Sequence, residues 1–259
     1  MKIAVITPYH KEDTRILYRC HKSVKEQGSI CDHFMIADGY PDSEVNKWDV
    51  EHVELPFSNE DNGDTPRAIG GILAKNRQYD YISFLDADNW YLKGHLESLL
   101  ELFNTTDIDI ACSKRIFYDL NEKVMPYTES QEDCHVHVDT SCYLLKPSTY
   151  YALSFWSDIP NILSPICDRI FLQKLFISGF KIMSTNKRTV GFTSKYKSHY
   201  ILAGIPISDA SSLKSDEMFT PILAFLDSKI GQQICMSTIH FSPTSRSIFQ
   251  NNKRILFKE

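Results

Sequence analysis

Apolar and polar positions follow two alternating periods along the first half of the chain. Residues 2–7 (KIAVIT) form a compact run rich in β-branched side chains, the pattern of a buried strand. After the loop Pro8-Tyr9-His10-Lys11-Glu12-Asp13, Ile16, Leu17, Cys20 and Val24 recur at helical spacing, and Gly28 supplies a stop. Strands are predicted near 33–37 and 50–55. Thr65-Pro66 reads as an N-cap with proline at the first helical position, before a helix that carries Ile69, Ile72 and Leu73 on one face. Residues 81–85 (YISFL) form a strand that runs into Asp86-Ala87-Asp88-Asn89. A helix with Leu92, Leu96, Leu99, Leu100 and Phe103 follows. Alternation of this kind predicts an α/β fold, a mixed but mostly parallel central sheet flanked by helices.

The pattern loosens beyond about residue 108. Strands are predicted at 108–112, 115–118, 136–145 and 180–183, a helix at 168–178 stopped by Gly179, and one helix at 217–230 before a polar tail. The chain divides into 1–204, with halves at 1–105 and 106–204, and a C-terminal helical extension at 205–259. Its tail, Lys253-Arg254-Ile255-Leu256-Phe257-Lys258, mixes basic and apolar residues but is too short to establish anchoring.

Composition narrows the function classes. The 259 residues carry 28 Lys+Arg against 33 Asp+Glu, a net charge of −5, which argues against a general nucleic-acid surface. A hydrophobic fraction of 42% is enough for a packed core. No stretch reaches the ~20 apolar residues of a membrane span, and the start is too short for a signal peptide. The seven cysteines show no CxxC or repeated spacing, so reduced, mostly buried thiols in a cytoplasmic protein are expected. No GxGxxG follows a predicted strand, which disfavours a dinucleotide enzyme.

The sharpest candidate chemistry is Asp86-Ala87-Asp88 after the 81–85 strand. Ligands gather at the carboxyl ends of strands in such sheets, and carboxylates two residues apart point the same way. Two hard oxygen donors suit Mg²⁺ or Mn²⁺; a solvated turn capping the next helix is the other reading. Cys134-His135-Val136-His137-Val138-Asp139 alternates, so His135, His137 and Asp139 would share one strand face. A zinc site there lacks a fourth ligand at a recognisable spacing, and the face would instead line a sugar or acceptor pocket. Lys195 and Lys197 suit a diphosphate or are simply solvated.

Taken in order, the segment from Gly63 through Arg67-Ala68-Ile69-Gly70 to Asp86-Ala87-Asp88 resembles the donor-binding half of GT-A glycosyltransferases of the family 2 type. Ala68 stands where that family has asparagine. The resemblance implies a GT-A fold, with Thr7, Pro8 and Tyr9 forming the first nucleotide loop and Asp38 holding the uracil or ribose. It implies Arg67 for a nucleotide phosphate, Asp86 for ribose or metal, Asp88 for the metal, and His199 as a third metal ligand or diphosphate contact. Cys167-Asp168 resembles the family's Glu-Asp pair, with cysteine in place of glutamate, and Asp168 is then the general base of an inverting transfer. A carboxylate at ~3 Å can take the proton of an attacking hydroxyl. A helix N-cap stabilised by the dipole is the alternative.

The expected function is therefore transfer of a sugar, a hexose, from a nucleotide sugar such as a UDP-sugar. The acceptor expected by family analogy is a glycan or lipid-linked hydroxyl, in polysaccharide assembly at the inner face of a membrane with peripheral contact. Two other functions are weighed: a non-catalytic nucleotide-sugar binder, given Ala68 and Cys167, and a phosphohydrolase, to which Asn89-Trp90-Tyr91 is a poor fit.

Overall fold

The computed structural model describes residues 1–207 and 212–248. Its first strand, β1 (Ile3–Tyr9), is buried throughout. Helix α1 (Thr14–Lys25) follows, opened by Asp13, whose carboxylate accepts the Arg15 amide at 2.9 Å. Next come β2 (Cys31–Ala37), β3 (Glu51–Glu54), α2 (Asp64–Asn76), β4 (Tyr81–Phe84), β5 (Trp90–Tyr91) and α3 (His95–Thr105). The second half contains β6 (Ile110–Tyr118), β7 (Tyr143–Leu145), α4 (Phe155–Asp158), α5 (Cys167–Ile177), β8 (Ile182–Thr193) and α6 (Lys197–Leu202). The described part of the extension holds α7 (Thr220–Asp227), α8 (Lys229–Thr238) and α9 (Ser245–Ile248).

One eight-stranded sheet runs β3-β2-β1-β4-β7-β6-β8-β5. β1 pairs parallel with β2 and β4, β2 with β3, and β6 with β8; β7 lies antiparallel between β4 and β6, and β5 antiparallel on β8. Alternation along β1 and β2 sends side chains to two covered faces. Thr7 and His33 meet Cys20 and His21 of α1, while Ile6 and Ile36 meet α2 at Gly70. A Cβ at Gly70 would lie 2.5 Å from Ile6 Cγ2, so glycine sets how closely the helix approaches the sheet. On the α2 side, Trp156 stacks on Phe171 at 3.9 Å between centroids and meets Phe84 edge-on.

Several expected bounds change. Helix α2 begins before Thr65-Pro66, because the Asp61 carboxylate accepts both the Gly63 and Thr65 amides and starts the turn earlier. The 108–112 and 115–118 runs form one strand with a register shift between Cys112 and Arg115. Of 136–145 only 143–145 is strand; Asp139 bonds the Ser141 amide and opens a 3-10 turn instead. The 180–183 strand extends to Thr193 through a polar stretch that hid its pattern. The single 217–230 helix is two helices, broken at Ser228, whose hydroxyl accepts the Gly231 amide. The basic-apolar tail at 253–258 lies outside the described residues.

Candidate active site

A cleft of about 700 Å³ opens at the carboxyl ends of β1, β2 and β4. Pro8, Tyr9, Asp38, Arg67, Asp86, Asp88, Asp168 and His199 all line it. Thr7 does not; it is fully buried and its hydroxyl bonds His33 Nε2 at 2.8 Å. Tyr9 turns its phenol to His52 at 2.6 Å, and burial pushes its pKa up to about 12. Asp38 accepts hydrogen bonds from the Asn59 amide at 3.0 Å and the Asn59 side chain at 2.7 Å.

Arg67 is buried rather than solvated. Its guanidinium donates to Asp86 at 2.6 Å and Asp64 at 3.0 Å, so the carboxylates are placed by a fork that needs both arms. Burial opposes the arginine's charge, but the ion pair with Asp86 outweighs it. Burial drives Asp64 the other way, above the usual carboxylate range. Cys167 is a buried thiol lining the same cleft, and burial pushes its pKa up.

Across the cleft, the first turn of α5 presents Asp168. One of its oxygens accepts the Arg169 amide at 2.7 Å; the other meets His137 Nε2 at 2.5 Å. Burial works against ionisation of Asp168, yet His137, Arg169 and Arg115 hold it below its usual value. Beneath it, Arg115 donates to Glu129 at 2.5 Å, Glu132 at 3.0 Å and Asp139 at 2.9 Å. Burial pushes Asp139 up to about 6 against the pull of Arg115. His137 and Asp139 thus share the cleft as the sequence suggests, but His135 does not line it and stacks on Phe176. Arg115 and Glu129 were not legible as site residues. The one signal was Arg115 at an inward place in the alternation Ser113, Arg115, Phe117.

The metal question turns on donor chemistry. Asp88 offers a partly exposed carboxylate to the cleft, paired with the Lys195 ammonium at 2.6 Å. Burial resists the charge on Lys195, and Asp88 outweighs it to raise the pKa. His199 bonds Ser194 through Nδ1 at 2.8 Å, and burial lowers it to about 4, leaving a neutral ring. These residues do not form a closed cage. The group of three ligating side chains found within 4.8 Å among the described residues is Asp133, Cys134 and His135, outside the cleft. An open site with one or two carboxylates fits Mg²⁺ or Mn²⁺, which keep positions for substrate phosphates.

The model of glycosyl transferase family 2 matches residues 71–161, which include the two aspartates of the β4 loop. A search of curated proteins returned no match to this chain. Among solved structures, S. aureus TarS 1-349 in complex with UDP aligns with a TM-score of 0.55 at 15% identity, covering 92% of this chain and 71% of that one. TarS 1-349 in complex with UDP-GlcNAc aligns at 0.55 and 15%, covering 95% and 74%. TarS 1-349 alone gives 0.57 at 13%, covering 99% and 90%. The fold is GT-A, and residues 71–161 are similar to glycosyl transferase family 2. Among the described residues no helix is long and apolar enough to cross a membrane.

Proposed function

We propose that this chain is a glycosyltransferase that moves a sugar, a hexose, from a UDP-sugar to the hydroxyl of a glycan or lipid-linked acceptor, with inversion. The observation that carries the reading is one cleft shared by Asp86 and Asp88 at the end of β4 and Asp168 at the start of α5. The UDP and UDP-GlcNAc complexes of TarS support the choice of donor. Residues 1–105 then serve the donor, 106–204 the acceptor, and 205–259 form an extension. Work on polysaccharide at the inner, cytoplasmic face of a membrane is part of the same reading.

Pro8, Tyr9 and Asp38 border the nucleotide, and Arg67 keeps Asp86 oriented toward it. Asp88, with Asp86 and His199 as further donors, would hold Mn²⁺ or Mg²⁺. The ion, when bound, neutralises the leaving diphosphate as a Lewis acid. Lys195 is then free to turn to a phosphate oxygen. Asp168 accepts the acceptor's hydroxyl proton while the new bond to the anomeric carbon forms. The bond from that carbon to the phosphate oxygen breaks, and its electron pair leaves with the nucleoside diphosphate.

The test is a panel of nucleotide sugars screened for thermal shift with and without Mn²⁺, followed by product analysis. A UDP-sugar is expected to stabilise the protein only with the metal, and Asp88→Ala to lose at least about 100-fold in turnover. Full activity in Asp88→Ala removes the metal assignment. A retained anomeric configuration removes the role of Asp168, and stabilisation without turnover favours a binding protein.

A further inference from the structure

We propose that His137 is a positioning residue of the transfer: clamped by Glu129, its doubly protonated ring orients the Asp168 carboxylate and keeps it ionised to receive the acceptor's proton. The inference rests on the reading of Asp168 as the base.

Geometry makes the first argument. His137 Nε2 faces Asp168 Oδ2 at 2.5 Å, and Nδ1 faces Glu129 Oε1 at 3.0 Å. An ionised carboxylate only accepts, so a ring set between two of them carries hydrogen on both nitrogens. Because the second Asp168 oxygen takes the Arg169 amide, the carboxylate is held at both ends and cannot rotate freely. It faces the cleft with its remaining lone pairs.

Charge makes the second. The groups facing the ring are Glu129 from the loop after β6, Asp168 and Arg169 from α5, Arg115 from β6, and His199 across the cleft. In the connected cluster, Glu129, Glu132 and Asp139 meet the guanidiniums of Arg115, Arg169 and Arg188, and Asp168 meets the His137 ring. The imidazolium is the fourth cation that balances four carboxylates. Burial opposes its charge, but Asp168 and Glu129 outweigh burial and Arg169, and the ring's pKa is raised. During transfer His137 keeps both protons; the acceptor's proton goes to Asp168.

A neutral replacement removes the cation that holds Asp168 below its usual pKa, so the acid limb of kcat moves to higher pH. The alkaline limb set by loss of the His137 proton disappears. The experiment measures kcat, donor KM and their pH profiles for full-length wild type, His137→Gln, Asp168→Asn and the double variant. His137→Gln is expected to lose about 10- to 100-fold in kcat with donor KM within twofold and the acid limb raised. The double variant is expected to be no slower than Asp168→Asn. A wild-type profile in His137→Gln, a kcat within threefold, or additive losses overturns the proposal. Turnover kept by Asp168→Asn instead overturns the base, and this inference with it. Should His137→Gln fail to fold, Glu129→Gln tests the same clamp. It removes one anion from the ring and should move the alkaline limb down, and an unmoved limb overturns the proposal.

Discussion

At the scale of single residues, the α5 side of the cleft is governed by a buried charge. Arg115 is 3% exposed and meets three carboxylates, so Arg115→Met strips a cation from each and leaves Asp139 without its ion pair in a poor solvent for charge. The expected cost is about 3–5 kcal/mol at neutral pH, read as a lowered denaturant midpoint. The pH dependence has a definite sign. Glu129 is held below its usual pKa: burial opposes ionisation, but His137, Arg115 and Arg169 prevail. Its stabilising contribution is thus present above the unfolded pKa and fades as the pH falls. The gap between wild type and Arg115→Met should narrow as the pH falls below the unfolded glutamate pKa of about 4.3, and a constant gap from about pH 5 to 2 would sink this account. The two aspartates after β4 were legible because a strand end and a two-residue spacing decide where carboxylates point. Arg67 was legible as a candidate, but its burial was not, since its partners Asp64 and Asp86 meet it only in the fold. Glu129 lies in an irregular segment with no period from which to infer direction.

At the scale of elements, the contact of α2 with the sheet fixes where Arg67 reaches Asp86. Gly70 lies one turn after Arg67 and touches Ile6 and Ile36, whose branched side chains have little room to retreat. Gly70→Ala should cost about 1–3 kcal/mol through overpacking despite the better helix propensity of alanine. Because the shift displaces Arg67, nucleotide-induced stabilisation should fall as well. A variant as stable as wild type in a melt, with unchanged nucleotide response, contradicts this. The first half of the fold was readable because each element there carries a full apolar face. The later elements resist such reading for separate reasons. β8 passes through the polar Thr185-Asn186-Lys187, which find no partner in β6 between the Ser184–Cys112 and Arg188–Lys114 pairings, so an irregular stretch interrupts its pattern. The 136–142 segment looked like a strand because two histidines and an aspartate alternate with valines, yet His137 is turned toward the carboxylates of Asp168 and Glu129, and Asp139 toward the buried Arg115. Electrostatic partners distant in sequence override a two-residue period.

At the scale of the whole molecule, the extension is tied to α5 by Gln173, which donates to Ser247 O, and Lys174, which donates to Ile239 O, both at 2.7 Å. The helix that starts with Asp168 is thus braced from outside. The sheet order carries a further consequence, for the order in which the chain is made. Trp90 and Tyr91, immediately after the Asp86–Asp88 loop, pair with Gly191 and Val190. Gly191 leaves room for the indole there, since a Cβ would sit 2.1 Å from Trp90 Cε2. During synthesis β1, β2 and β4 emerge early and can pair, whereas the far side of the aspartate loop waits for a strand made much later. A nascent chain ending at residue 181 should therefore be cut rapidly by trypsin after Lys93, while the full chain resists. Equal protection of the two would refute late closure. Vectorial synthesis would then deliver the β1-β2-β4 scaffold first and a closed aspartate loop only once β8 has left the ribosome, so that an interrupted chain is born with one wall of its cleft unfinished.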